Sequence, residues 1–561
     1  MTLAVVLATE AARAGPDAGP TAELPYGSGG TLLGRLLDQF ASLNVHDGWI
    51  IARRELAEYV RGHGFDVIET KDVADDLRVI ADLAGAARQP MVIVHGDIVM
   101  SDEALTRLVL DSKAPAAAVI SRARGAGAPT RPVVRLGRTR IVSAGSRYHQ
   151  VTDPNAVFRG VLRVAPPETA ALAAVAGELA AIVDGLRPVP PIRTTGEPAD
   201  EGFERFVDKD TEGDLDAASS AAATPVLTTT APRGDDVPAL LLTGLVRAGV
   251  RVRARGVRVL VCERALTADQ AAAARAAVES VDEDRVRLDA AVKGDDGFFT
   301  TYAVSSYSWR IARWAAYRRL TPNVVTSISM GVAVVAAVWF AAGTRTGMIV
   351  GAMLLYFAFV LDCVDGQLAR YTRQFSTLGA WLDATFDRAK EYVAYAGLAV
   401  GSTAAAAASP VHGGNVWGLA VAAMAVQTCR HMVDFAFGAA KRRTAGATPL
   451  PVLPLDAPDD SALDPAPAPA PAPAPAAAPA APEGRGRRIG RLAIWLSNRT
   501  ERMTGLRWAK KIVILPIGER FALISLCAAI FNAKVTFIVL LVWGLLAAAY
   551  TLTGRILRSI A

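Results

Sequence analysis

The chain has 561 residues, room for more than one domain, and with 52% hydrophobic residues and a mean hydropathy of +0.28 it is too apolar for an ordinary soluble protein. Its net charge is +6 and its pI about 9.2, yet no run of Lys and Arg interleaved with aromatics marks a nucleic-acid surface, so no nucleic-acid partner is expected. Part of the chain belongs in lipid, with basic residues at the membrane surface. Residues 1–185 alternate apolar strands (LAVVLA, DGWIIA, FDVIET, PMVIVHGD) with helical stretches (LLGRLLDQFASL, ELAEYVRGHG). This rhythm predicts an α/β domain with a largely parallel sheet. The opening MTLAVVLATEAARAG lacks a basic n-region and reads as a first strand rather than a signal peptide.

Within that domain, Val92 to Asp97 (VIVHGD) and Phe158 to Leu162 (FRGVL) resemble the nucleotidyltransferases that make NDP-sugars. The resemblance implies that Asp97, the acid after the strand, binds the metal on the nucleotide. It also implies a Gly-rich loop with an Arg and a following Pro-Lys to cradle the triphosphate. Here that loop reads ATEAARAGPDAGPTAELPYGSGG, which keeps Gly27, Gly29 and Gly30 but not the Arg and Lys at their places. Without such a loop, a strand-end Asp is more often a cap or turn residue. A degenerate or regulatory domain is expected, with an active one as the alternative.

Residues 186–237, rich in Pro, Ala, Thr and acids without periodicity, read as a linker. Residues 238–292 hold an apolar helix (ALLLTGLVRAG), a strand (VRVLVCE) and an Ala-rich helix (DQAAAARAAVESV), and read as a small α/β subdomain packed on the first domain. Residues 296–561 form the membrane half. Trp309, Ile311, Trp314 and Tyr317 alternate with Arg310, Arg313, Arg318 and Arg319, as in a helix lying in the headgroup plane.

Apolar segments of spanning length fall near 324–342, 347–370, 378–402, 414–439, 519–533 and 535–555. The fold class is therefore multidomain: an N-terminal α/β nucleotidyltransferase-like domain and a C-terminal all-α six-helix transmembrane bundle. Arg318, Arg319, Arg370, Arg373, Lys441 to Arg443, Arg485 to Arg488, Arg555 and Arg558 fall on one side, which predicts a multi-pass protein of the cytoplasmic membrane with both termini cytoplasmic. A disordered Pro/Ala linker over 444–486 interrupts the bundle, and the basic segment after it returns to the membrane surface. Cys262, Cys363, Cys429 and Cys527 lack metal spacing and read as reduced packing residues.

The chemistry concentrates in Leu361 to Asp387, LDCVDGQLARYTRQFSTLGAWLDATFD. Carboxylates at bilayer depth cost several kcal/mol each, so a group of them is by default a functional site. Asp362, Asp365, Gly366 and Ala369 share one helical face, and Asp383 and Asp387 share a face of the next helix. Clustered carboxylates repel unless a cation lies between them, and hard oxygen ligands suit Mg²⁺, Mn²⁺ or Ca²⁺.

The pattern D-x-x-D-G-x-x-A-R, eight residues, then G-x-x-x-D-x-x-x-D runs without a gap as Asp362, Asp365, Gly366, Ala369, Arg370, Gly379, Asp383 and Asp387. It resembles the signature of the CDP-alcohol phosphatidyltransferases. The L-T-P-N-x-x-T run at Leu320 to Thr326 resembles what precedes the first span in that family. The order of the two halves resembles the fused inositol-phosphate cytidylyltransferase and phosphotransferase enzymes.

The resemblance implies Mg²⁺ or Mn²⁺ held by Asp362, Asp365 and Asp383, with Asp387 as a further ligand or as the base that takes the acceptor's proton. Gly366, Ala369 and Gly379 would give the nucleotide room, and Arg370 would meet a phosphate. The expected partners are a CDP-linked alcohol donor, an alcohol or polyol-phosphate acceptor and membrane lipid, and the expected assembly is a homodimer. Arg430, His431 and Asp434 could recognise the acceptor or form an ion pair at a helix end. The competing readings are a divalent-cation transporter, a bifunctional enzyme whose N-terminal domain makes the CDP-alcohol, and a silent membrane anchor. The acids occur once, against the paired interrupted helices of most transporters.

Overall fold

The structure, a computed structural model, describes residues 2–12, 19–122, 132–137, 139–188, 236–293, 296–408, 416–447, 450, 452–457, 460 and 504–560. Nearly all of the expected linker at 186–237, the Pro-Ala run and the start of the basic segment lie outside the described residues. The chain divides into two compact units: Met1–Val286 with Thr448–Pro473, and Arg287–Ala447 with Ala474–Ala561.

In the first unit the strands are β1 Leu3–Ala8, β2 Pro25–Tyr26, β3 Gly30–Thr31, β4 Asp47–Arg53, β5 Asp66–Thr70, β6 Met91–His95, β7 Ile98–Met100, β8 Ala116–Arg122, β9 Val133–Gly137, β10 Arg140–Ala144, β11 Ala156–Val164, β12 Val252–Gly256 and β13 Cys262–Arg264. The helices are α1 Leu32–Ser42, α2 Ala57–Val60, α3 Val73–Ala86, α4 Asp102–Val109, α5 Thr169–Val183, α6 Val237–Arg247, α7 Ala268–Glu279 and α8 Glu283–Ala291, the last reaching across the division between the units. The main sheet has the order β5-β4-β1-β6-β11-β8-β12-β10-β9.

Every residue of β1 and β6 is buried, because apolar clusters cover both faces of the sheet. The expected, largely parallel sheet holds for β5, β4, β1 and β6 and for the β8–β12 pair, whereas β11 runs antiparallel to both β6 and β8. Among the described residues no helix lies between β8, β9, β10 and β11, and a parallel return needs a crossover of a dozen or more residues. The expected helix over ELAEYVRGHG shrinks to α2, ahead of Gly62 and Gly64, which turn the chain at φ +94° and +87°.

Residues 238–292 do not form a subdomain of their own. Strand β12 enters the main sheet between β8 and β10, and every residue of α6 is buried. A helix apolar all round has no face to leave in water, so it completes the larger core. Of the expected strand VRVLVCE only Cys262 and Glu263 lie in a strand, β13, because Arg258, with a φ of +50°, turns the chain between β12 and β13.

The second unit is helical: α9 Ser305–Tyr317, α10 Pro322–Ala341, α11 Arg345–Thr372, α12 Thr377–Ala408, α13 Trp417–Ala447, α14 Thr504–Ile514, α15 Ile517–Ile530 and α16 Ala533–Ile560. Among the described residues of this unit, α10, α11 and the Ala533–Ile556 part of α16 are each long and apolar enough to cross a membrane, and α14 with α15 forms a pair bent by 69°. Pro166–Val183 in the first unit also qualifies by length and composition, but its Leu172, Val175, Ala176 and Leu179 belong to the α/β core.

Small residues set the helix spacing here. A Cβ on Gly397 would lie 2.4 Å from the Ala337 carbonyl oxygen, and one on Gly351 would lie 2.6 Å from the Phe340 ring. Gly397 and Gly401, four apart on α12, let the α10 backbone approach as small-residue pairs do in membrane helices. Helix α9 buries Ser308, Ala312 and Ala315 and exposes Trp314 and Tyr317, with Arg310 over Trp309 and Arg318 over Trp314.

Candidate metal centre

Helix α11 ends at Arg373, whose left-handed φ of +58° turns the chain towards α12. The two helices thereby bring the acids together. One carboxylate oxygen each from Asp362, Asp365 and Asp383 lies within 4.8 Å of the others. Asp365 is buried, Asp362 half-buried and Asp383 exposed, so the cluster opens to one side. Three hard oxygen donors at that separation fit a divalent cation of the Mg²⁺ or Mn²⁺ class.

Asp387 is not one of that trio, but its carboxyl is in side-chain hydrogen-bond contact with Asp362. It lies 3.7 Å from the ammonium of Lys390, one turn along α12. Lys390 is fully buried, pairs with Asp362, and donates to the Ser329 hydroxyl on α10 at 3.0 Å. The lysine was not among the residues singled out from sequence. The available signal was a cation three residues after the last acid of the pattern.

The two motifs noted separately in the sequence meet at this centre. Thr326, last residue of L-T-P-N-x-x-T, donates its hydroxyl to Asp365 at 2.6 Å. A Cβ on Gly379 would lie 2.6 Å from the Asn323 side-chain oxygen, so glycine there lets α12 start against α10. Gly366 and Ala369 continue the face of α11 that carries the acids. Arg370 donates to the Ala291 carbonyl, and its guanidinium also lies against Gly366.

Arg430, His431 and Asp434 do not act as one group. Arg430 donates to the Ile514 and Leu515 carbonyls at 2.7 and 3.5 Å, while Asp434 pairs with Arg555. His431 contacts Gln427 at 2.9 Å beside a buried ion pair in which Arg520 donates to Glu391 at 3.0 Å. Tyr395 donates to the same carboxylate at 2.8 Å.

In the first unit, Asp97 follows β6 as expected, but its surroundings are those of a closed ion pair. Both carboxylate oxygens accept from Arg264 at 2.8 Å, and Thr21 donates to one of them at 2.8 Å. Burial alone would raise its pKa. The charge and hydrogen bond of Arg264, with His95 and Thr21, more than offset this and hold it below the usual carboxylate value. His95 lies 3.2 Å from Asp236, which caps α6. Gly27 and Gly29 take φ of +77° and +99° in a small β2–β3 hairpin, and residues 13–18 of the expected phosphate loop lie outside the described residues.

Residues 319–452 match the family described as CDP-alcohol phosphatidyltransferase. The helical half thus carries a CDP-alcohol phosphatidyltransferase domain, and the chain is a transferase of substituted phosphate groups. No curated protein matches the chain significantly.

Among solved structures, the inositol-1-phosphate CTP transferase from T. maritima aligns at 14% identity over 50% of this chain and 98% of that one, with a TM-score of 0.32. A putative glucose-1-phosphate thymidylyltransferase from Bacillus anthracis aligns at 14% identity over 50% of this chain and 97% of that one, with a TM-score of 0.32. The structure titled mannose-1-phosphate geranyltransferase, from Thermus thermophilus, aligns at 21% identity over 32% of this chain and 64% of that one, with a TM-score of 0.25.

Proposed function

We propose that this protein is an integral membrane CDP-alcohol phosphotransferase that moves a phosphatidyl or phospho-alcohol group from a CDP-linked donor to an acceptor hydroxyl and releases CMP. The convergence of Asp362, Asp365 and Asp383 from two helices carries this reading. These three would hold Mg²⁺ or Mn²⁺, which when bound neutralises the diphosphate and eases displacement at phosphorus. Asp387, outside the trio, takes the proton of the attacking hydroxyl, and Lys390 holds it beside the cluster. Arg370, whose guanidinium lies against Gly366, meets a donor phosphate.

Six helices, α10 to α13 with α15 and α16, form the transmembrane bundle, and the acids lie towards the cytoplasmic side where water-soluble CMP can leave. The protein acts as a homodimer. Its N-terminal domain makes no CDP-alcohol, because Arg264 already occupies both oxygens of Asp97. CDP-diacylglycerol with a polyol-phosphate acceptor, and a soluble CDP-polyol with a lipid acceptor, are the two donor and acceptor pairs to be compared. The test is labelled CMP release from a panel of CDP-linked alcohols, with Mn²⁺ uptake followed in the same proteoliposomes. Release without uptake is expected; uptake without release would end this reading and favour a transporter.

A further inference from the structure

The segment between α13 and α14 reads as linker, yet its described residues are seated on the α/β unit. Leu455 is 5% exposed and belongs to the core cluster formed with α5, α6 and the sheet. Backbone pairing holds the segment on both sides of Leu455: the Leu453 amide donates to the Arg247 carbonyl at 2.8 Å, and the Arg247 guanidinium donates to the carbonyls of Pro454 and Ala457. Arg247 itself is 1% exposed, so covering it is part of folding.

His149 adds a directional contact. Its Nε2 lies 2.7 Å from the Leu455 carbonyl and its Nδ1 2.7 Å from the Ser146 hydroxyl. A carbonyl only accepts, so Nε2 carries the proton and Nδ1 accepts from Ser146. Asp460 closes the seat: it is 1% exposed and accepts from the Thr152 amide at 3.0 Å, from the Thr152 hydroxyl at 2.6 Å and from Ser143. Arg187 and Asp456 pair at 3.0 Å nearer the surface.

A linker with no purpose beyond reach would not bury a leucine and an aspartate, each with fitted partners, more than 300 residues away in the chain. We propose that residues 450, 452–457 and 460 are a latch: a non-covalent attachment by which the loop between α13 and α14 holds the α/β unit, in addition to the covalent connection at Val286 and Arg287. The seat, made by Ser143, His149, Thr152, Arg187 and Arg247, recognises a short extended peptide with a leucine and, five residues on, an aspartate. Its occupant is this chain's own loop. The proposal does not depend on the transferase reading.

The full-length protein in proteoliposomes tests it. A protease site placed at Gly294-Asp295 is cleaved and the membranes are washed in high salt. The N-terminal fragment should stay with the membranes, and Asp460→Ala combined with Leu455→Ser should release most of it. Because that variant could misfold the unit, the unsubstituted cleaved protein is also washed with excess synthetic peptide spanning residues 448–462, which should displace the fragment where a scrambled peptide does not. Loss of the unsubstituted fragment in the first wash would overturn the proposal. So would retention that neither the variant nor the peptide disturbs. In a mixture of intact and latch-defective copies, only defective copies should lose their fragment; protection by intact neighbours would overturn the assignment of the occupant to the same chain.

Discussion

Asp97 and Asp383 sit in regions that resemble nucleotide-handling families, and the sequence places each where such a family would bind a metal. Their surroundings differ in one respect. Asp97 is 2% exposed and fully engaged by a guanidinium and a hydroxyl, whereas Asp383 is exposed and converges with two further carboxylates. A buried carboxylate with a fitted cation is already neutralised, while three carboxylates within 4.8 Å share the Lys390 ammonium on Asp362 and keep an excess of negative charge that a divalent cation would balance. An acid in the expected position is therefore weak evidence for metal chemistry until its neighbours are known.

The sharpest break of that contrast is Asp383→Asn. Removing one of three donors to the cation should lower CMP release by on the order of 10⁴ or more, because charge neutralisation at phosphorus supplies several kcal/mol. Mn²⁺ affinity, followed by electron paramagnetic resonance, should fall in parallel. Full turnover at ordinary Mg²⁺ would remove the metal assignment. Asp387→Asn comes next. As the proton acceptor it should cost roughly 10² to 10⁴ in single-turnover CMP release while donor binding survives. Loss of donor binding at saturating Mg²⁺ would instead make Asp387 a fourth ligand.

On the other side of the comparison, Asp97→Asn should leave Arg264 buried without its charge partner and destabilise the α/β unit by about 3 kcal/mol or more, read as a lower denaturation midpoint. CMP release by the folded fraction should stay within about twofold. Pyrophosphate release from CTP should be absent both before and after the change; robust release, lost in Asp97→Asn, would show the ion pair to be an active site at rest.

The smallest effect is a pH dependence. Burial, then the charge of Arg247, lowers the His149 pKa to about 4, while its bond to Leu455 opposes that shift. A histidine depressed on folding contributes stability that is complete above its unfolded value near 6.5 and is lost as pH falls towards 4. The unfolding free energy of the α/β unit should therefore drop across that window by up to about 3 kcal/mol, read as a lower denaturation midpoint, and His149→Gln should flatten the slope. An unchanged slope in His149→Gln would assign it to other groups.

How much of this was legible in the sequence depended on distance along the chain. The trio and Asp387 follow helical spacing within one short stretch, so their faces could be read directly. Strands β1, β4, β5 and β6 announced themselves by apolar runs. The partners that decide each acid's state did not. Arg264 is 167 residues from Asp97, and Lys390 is 28 residues from Asp362. No local periodicity encodes such pairings. The latch was hidden for the same reason: a Pro-rich stretch with isolated Leu455 and Asp460 has no period to betray burial, and its seat is assembled from β10, α6 and the loop before β11.

The latch also constrains the order in which the protein can be made. A ribosome releasing roughly 5 to 20 residues per second has delivered the sheet and α6 on the order of ten seconds before it delivers Leu455 and Asp460. During that interval α10 to α13 emerge, while the seat around Arg247 and His149 waits open. Completion of the α/β unit is thus timed by synthesis of the helices that carry the acids. A chain halted before residue 450 would present an unfilled apolar seat to chaperones and proteases, a natural point of quality control for half-made protein.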